Sequence, residues 1–441
     1  AAAGTWSRTQ ADNDTYTLSP PAAGWTRGPG ELTVNANDLA GNALAPVAAT
    51  YLVKLECETF QAPEVVIGQA NFEDIVYSAP AANTLNEPYG SPAVAFDGKL
   101  FIADTYHNRV LAYNAVPSAN GKDADFVLGQ PGFTTSTSTV QRGSHRFPSV
   151  IAIANGKLAV TNFAANRVVI YNGIPVNGSA DQSVVLGQPN FTSSGANCTA
   201  AGLNRPQGAS LTPDGKIIVA DTQNHRIPIW NSVPPADGQP ADVVLGQKDF
   251  THCAANDFDQ DGLVDSGPTQ YTLNYPSAVW SDGTRLVAVE TFNHRVLIWN
   301  RLPTSSFQPA DVVLGQLTFT RSTPNDRNDD GTQDSPNAHT LGNPYGGLAS
   351  NGVQLAVADN SNNRVLIWNT FPTTNFQPAD VVLGQKEFDL NARNDGDGNG
   401  ATDAVEGSAQ AMFSPGGLLF HGDKLIVMDS GNNRGLVFRS R

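Results

Sequence analysis

The sequence predicts an all-β fold, a closed ring of six four-stranded sheets, and three observations carry that prediction. First, the phrase Val-Val-Leu-Gly-Gln, or a close variant, ends at Gln69, Gln130, Gln188, Gln247, Gln316 and Gln385, and a phenylalanine follows each glutamine three residues later. Self-similarity at intervals of 58 to 69 residues marks a repeat architecture. Second, each unit reads as four short β-branched and aromatic runs bounded by turn residues; in the third unit they are GASLTP, GKIIVADT, HRIPIWN and DVVLGQ. No helical period intervenes. Third, the two ends are complementary. The first copy, Glu64–Gln69, precedes any complete unit, and the last unit stops at RGLVFRSR without a copy of its own. The early strand is therefore expected to become the outer strand of the sheet built by residues 416–440. That closes the ring as a six-bladed β-propeller and leaves few exposed strand edges.

Between the second and third strand of each unit an acid and an arginine stand five residues apart: Asp104 and Arg109, Asp221 and Arg226, Glu290 and Arg295, Asp359 and Arg364, Asp429 and Arg434. The second unit has Asn162 and Arg167 instead. Opposite charges facing across a hairpin are read as scaffold. His225 and His294, which recur at one repeat position, are read as hydrogen-bonded in the turn, and Trp230, Trp299 and Trp368 as packing between sheets. With TQNHRI at 222–227 and TFNHRV at 291–296, the turns resemble the NHL-repeat family. The resemblance covers roughly residues 60–441 and implies a six-bladed propeller at 59–441. The units here are longer than the usual repeat of that family, and only two carry literal Asn-His-Arg.

Residues 1–58 lie outside the repeat. Runs such as GELTVNANDLAGNALAP alternate like an antiparallel sandwich and resemble bacterial Ig-like domains. An Ig-like sandwich needs about seven strands and about 100 residues. The segment is therefore expected to be a partial Ig-like β segment that packs on the propeller, is trimmed from a longer protein, or is completed by self-association with another chain.

The chain carries a net charge of −15, which opposes nucleic acid as a partner and suits cations. No apolar run reaches the roughly 18–20 residues of a membrane helix. The sequence begins with alanine, and a processed, exported chain is expected, secreted or at the cell surface. Cys57, Cys198 and Cys253 show no zinc spacing. Cys198 and Cys253 sit in equivalent loops of neighbouring units, where a disulfide is geometrically feasible. Cys57 is left buried or free.

The sharpest chemical signal is an aspartate-rich loop in three copies. Asp257, Asp259, Asp261, Gly262 and Asp265 are matched by Asp326, Asn328, Asp330, Gly331 and Asp334, and by Asp395, Asp397, Asn399, Gly400 and Asp403. Each copy starts seven residues after its repeat phenylalanine. Side-chain oxygens at positions 1, 3 and 5 with glycine at 6 fit a Ca²⁺ loop, with further ligands from the position-7 carbonyl (Leu263, Thr332 or Ala401) and the position-9 carboxylate. Position 12 holds glutamate only in the third copy, Glu406; the others have Pro268 and Asn337, and no flanking helices appear. The loops are similar to the calcium loops of bacterial surface proteins and thrombospondin-type repeats. About three Ca²⁺ sites are expected, on the face that carries the acid–arginine turns.

The inner strands SPAVAFD, FPSVIAIA, QGASLTP, YPSAVWSD, YGGLASNG and PGGLLFHG are small and apolar, as crowding near an axis requires, and show no ring of His, Glu or Asp. Glu87, Arg205 and Tyr275 precede inner strands at the channel entrance. The expected function is a non-catalytic, calcium-stabilised module for a protein or carbohydrate partner. A structural subunit of a surface assembly, joined through residues 1–58, is the first alternative. A lyase or lactonase with a metal in the central channel, as in related six-bladed propellers, is the second.

Overall fold

In a computed structural model of the chain, residues 5–8, 16–19, 30–34, 47–51, 55–403 and 407–440 are described. Six four-stranded antiparallel sheets form, five of them with their strands in sequence order from the inside out and the sixth closed by an early strand. Blade 1 comprises Ala93–Val94, Leu100–Asp104, Arg109–Tyr113 and Phe126–Leu128. Blade 2 comprises Pro148–Ala154, Lys157–Asn162, Arg167–Tyr171 and Val184–Leu186. Blade 3 comprises Gly208–Leu211, Ile217–Ala220, Ile227–Trp230 and Val243–Leu245, matching the four runs read from the sequence. Blade 4 is Pro276–Ser281, Leu286–Glu290, Arg295–Trp299 and Val312–Leu314. Blade 5 is Leu348–Ser350, Leu355–Asp359, Arg364–Trp368 and Val381–Leu383. Blade 6 takes Pro415–His421, Lys424–Asp429 and Arg434–Arg439 from the end of the chain and Val65–Ile67 from near its start. Val66 pairs with Leu436, which is the predicted closure.

Both faces of each blade are apolar because every blade packs against two others. Six buried clusters result, each spanning two neighbouring blades. Trp230, Trp299 and Trp368 fill these seams, at 1–2% exposure. Each indole N–H reaches a carbonyl, Gln239 O, Gln308 O and Gln377 O, so burial leaves no donor unpaired.

The recurring arginines are fully buried. Nε of Arg226 meets Asp221 at 2.8 Å, one Nη donates to Phe250 O at 3.0 Å, and the other to Thr199 O and Gly202 O. The bond to the phenylalanine carbonyl recurs in every blade, so the phenylalanine after each glutamine marks where an arginine finds a carbonyl. In the last blade Arg434 donates to Phe72 O, a second tie between the two ends. Such pairing offsets the cost of burying the charge. The glutamine of the repeat phrase has an equally fixed task. Nε2 of Gln247 donates to His225 O and Ala254 O, and Gln316 and Gln385 repeat the clamp on their own turns.

The outer strands are not left as open edges. Val244 N and O are met by Ser306 Oγ and Phe307 N, and Val313 N and O by Asn375 Oδ1 and Phe376 N, each from the following blade. For blade 5 the cap comes from Thr59 and Phe60, residues placed before the first repeat phrase. Leu55 is fastened to blade 5 by Gln354, which bonds both its N–H and its C=O. Two further antiparallel pairs, Thr5–Arg8 with Tyr16–Ser19 and Gly30–Val34 with Val47–Tyr51, precede the ring. Most of the sandwich expected at 1–58 falls outside the described residues.

The inner strands meet backbone to backbone at their entry ends. A Cβ on Gly347 would lie 1.9 Å from Gly416 O, and one on Gly417 2.0 Å from Gly90 O. Below this constriction the axis widens into a basin of about 670 Å³, lined by Val94, Ile153, Leu211, Trp280, Leu419 and Phe420 among others. No helix among the described residues is long and apolar enough to cross a membrane.

Candidate functional site

The three aspartate-rich loops share one backbone. The residue before each, Asn256, Asn325 or Asn394, has φ of 55°, 54° and 51°, a left-handed conformation that asparagine accepts more readily than most residues. The glycine at position 6 has φ of 87°, 84° and 87°, as the calcium-loop pattern requires of that turn.

Position 1 is buried in every copy: Asp257 is 0% exposed, Asp326 3% and Asp395 1%. Its two oxygens accept backbone N–H groups of positions 5 and 6, from Asp261 and Gly262 at 3.2 and 3.0 Å, from Asp330 and Gly331 at 3.2 and 2.9 Å, and from Asn399 and Gly400 at 3.0 and 2.7 Å. Position 9 folds back onto position 2: Asp265 accepts from Phe258 N, Asp334 from Arg327 N and Asp403 from Gly396 N. These bonds draw the carboxylates inward. Oxygens of Asp257, Asp259 and Asp265 lie within 4.8 Å of one another, as do those of Asp395, Asp397 and Asp403.

The second copy is built differently in charge. Asn328 stands at position 3, Asp334 pairs with Arg327 at 3.7 Å, and Asp329 with Arg321 at 2.8 Å. Asp261, Asp330 and Asn399 cap the N–H groups of Leu263, Thr332 and Ala401, so position 5 also orders the residue whose carbonyl is the position-7 candidate. Glu406 lies outside the described residues.

The loops are anchored to the scaffold through asparagine pairs. Asn256 and Asn293 exchange two side-chain hydrogen bonds, of 3.1 and 2.9 Å, and Asn293 also donates to Glu290 at 2.8 Å. Asn325 with Asn362, and Asn394 with Asn432, repeat this. Each loop therefore sits on the acid–arginine turn of the next blade, the face assigned to it from the connectivity. The asparagines of each pair stand 37 or 38 residues apart in the sequence; that they pair is visible only in the fold.

At the same face the turn residue in the left-handed region, Asn or His in every blade, accepts an N–H from the segment entering the next inner strand. Nδ1 of His225 takes Tyr275 N at 3.1 Å, and that of His294 takes Asn343 N at 3.0 Å. Burial holds both imidazoles down at about 4. They are neutral acceptors at neutral pH, as the turn reading expects. Glu87, Phe147, Arg205, Tyr275, Asn343 and Ser414 all have positive φ, from 45° to 58°. The three residues singled out at the entrance thus belong to one ring of constrained backbone.

Cys198 and Cys253 form a disulfide with Cα atoms 6.4 Å apart, joining the loop before blade 3 to the first aspartate-rich loop region. Cys57 is a half-buried free thiol, and burial pushes it up to about 12.

An NHL-repeat family model matches residues 203–229, which span the first two strands and turn of blade 3 and most of its third strand. No curated protein matches the chain. Among solved structures, a streptogramin B lyase is 12% identical with a TM-score of 0.42, covering 83% of this chain and 96% of that one. A virginiamycin B lyase from Staphylococcus aureus is 13% identical with a TM-score of 0.42, covering 81% and 97%. The WD40 repeats of RRP9 are 12% identical, also at 0.42, covering 82% and 99%.

Proposed function

We propose that this chain is an exported, non-catalytic propeller that binds or scaffolds a partner, and that Ca²⁺ in the three aspartate-rich loops stiffens the face it presents. The observation that carries the reading is the buried first-position carboxylate of each loop. Asp257, Asp326 and Asp395 are withdrawn from water and have only backbone N–H donors as partners among the described residues, while further carboxylates crowd the same turn. A buried anion of this kind is costly without a cation. The donor set is all oxygen, which selects a hard cation, and the loop's span suits the larger coordination number of Ca²⁺ over Mg²⁺.

The asparagine pairs carry this loop order into the buried Glu290, Asp359 and Asp429. A loaded loop would therefore brace a turn at the channel mouth. The Cys198–Cys253 disulfide supports an oxidising, extracellular setting. Among the described residues, the groups of three acids able to hold a metal lie in the first and third of these rim loops. Calorimetric titration tests the assignment: the chain takes up about three Ca²⁺, and a variant with Asp257→Asn, Asp326→Asn and Asp395→Asn takes up none. Full uptake by that variant would overturn it.

A further inference from the structure

Blade 2 departs from the other five in linked ways. The acid of its turn is Asn162, so Nε of the buried Arg167 has no partner among the described residues. The position held by Leu85, Leu203, Leu273 and Leu341 against the glycine of the repeat phrase is held by His145 against Gly129. His145 is fully buried, bonds Asn162 Oδ1 at 3.2 Å and Tyr171 Oη at 3.1 Å, and is pushed down to about 3 by burial and by Arg167, so it adds no positive charge at neutral pH. The turn that follows, Phe163–Ala165, presents a phenylalanine and two alanines where blade 3 has Thr222–Asn224. Arg167 is therefore a cation without its usual counter-ion.

The turn between Asn162 and Arg167 helps to line a pocket of about 300 Å³, formed by Arg146, Phe147, Phe163, Ala164, Asn166 and Arg205. None of the six is acidic, in a chain of net charge −15. Nε of Arg146 is buried without a hydrogen-bond partner among the described residues. The Arg205 guanidinium lies 5.4 Å from the centre of the Phe163 ring, and no acid is paired with either arginine among the described residues. Phe147 and Arg205 share the positive φ of this ring position, 47° and 49°, and bonds from their N–H groups to Asn108 and Asn166 fix where their side chains start.

We infer that this pocket between blades 2 and 3 binds a small organic anion, its acid group between Arg146 and Arg205 and its flat body against Phe147 and Phe163. Guanidinium forks match carboxylate and phosphate oxygens, and their strength rises where water is excluded. The volume suits a single ring. Asn162 matters at a distance: an aspartate there would neutralise Arg167 and lower the positive potential under the site. The site goes beyond the calcium reading and does not depend on loaded loops.

The test is titration of the full chain with benzoate and, separately, phenyl phosphate, followed by ligand-observed NMR, once with calcium and once with chelator. Saturable binding of at least one anion is expected in both conditions, and the tighter probe tells a carboxylate ligand from a phosphate monoester. Arg205→Gln and the Arg146→Gln, Arg205→Gln double variant should weaken binding about 10-fold or more. Arg205 is exposed, so the single variant tests the site even if the double variant does not fold. Asn162→Asp, which touches no ligand atom, should weaken binding a few-fold. No saturable binding of either anion up to about 10 mM, or binding undiminished in the arginine variants, would overturn the site while leaving the calcium reading intact.

Discussion

Asn256 and Asn293 hold each other by two side-chain hydrogen bonds, and through Asn293 the first aspartate-rich loop reaches the buried Glu290–Arg295 pair. The loop and the turn of the following blade are thus one hydrogen-bonded unit. Asn293→Ala removes three of these bonds and strands buried polar groups, which costs about 1–3 kcal/mol. The same change should reduce the stabilisation that calcium gives, because the loaded loop would no longer brace the turn. Thermal melts of the variant with and without calcium check both effects.

His225 and His294 set an acid limit on stability. In the unfolded chain each imidazole takes its proton near 6.5; in the folded chain it does so only near 4. Between those values the unfolded state binds more protons, so stability is complete above about pH 6.5 and falls as pH drops toward 4. Asn108, Asn166, Asn363 and Asn433 hold the same turn position with the same positive φ. His225→Asn with His294→Asn should therefore keep stability at pH 7 and flatten the acid limb by about two protons. Urea melts across pH 4–7 read the slope, and an unchanged slope would contradict the buried-acceptor role.

The constriction of the channel is made of backbone and tolerates no methyl group. Gly347→Ala would bring a Cβ to 1.9 Å from Gly416 O. Inner strands held on both sides cannot move apart locally, so a loss of about 3 kcal/mol or more is expected. A melting temperature within a degree or so of the parent protein would contradict the packing described.

Ring closure depends on Val65–Ile67 and on the caps from Leu55, Thr59 and Phe60. A chain starting at residue 55 should fold as a ring, whereas one starting at residue 70 should not, because it lacks the outer strand of blade 6. Circular dichroism and size-exclusion chromatography separate the two. The first truncation also reports whether residues 1–54 mediate self-association.

The ring was legible because its strongest signals are local. Six copies of one phrase, an acid and an arginine five apart, and a missing strand at one end matched by a spare at the other fix blade number and closure. The aspartate-rich loops were legible for the same reason. What stayed hidden depends on which residues meet across blades. The glutamine of the phrase clamps a carbonyl 22 residues upstream, and the asparagine pairs span 37 or 38 residues. Asn162 stands out in the sequence as an exception. Its consequence, an arginine lacking a counter-ion beside His145, needs the fold, since His145 lies 17 residues away and occupies a position that elsewhere is leucine or methionine. Arg146 gave no signal at all, because its isolation from acids is a property of packing.

The most direct test of the central claim is metal content by mass spectrometry on the purified chain, paired with a thermal melt with and without chelator. The account predicts about three calcium ions per chain and a melt that moves down on chelation. The third loop should be retained more strongly than the second, whose carboxylates already face Arg321 and Arg327. A chain with no calcium, and with no change in melting even in millimolar calcium, would contradict it; the aspartates would then be polar turns held by their own backbone bonds.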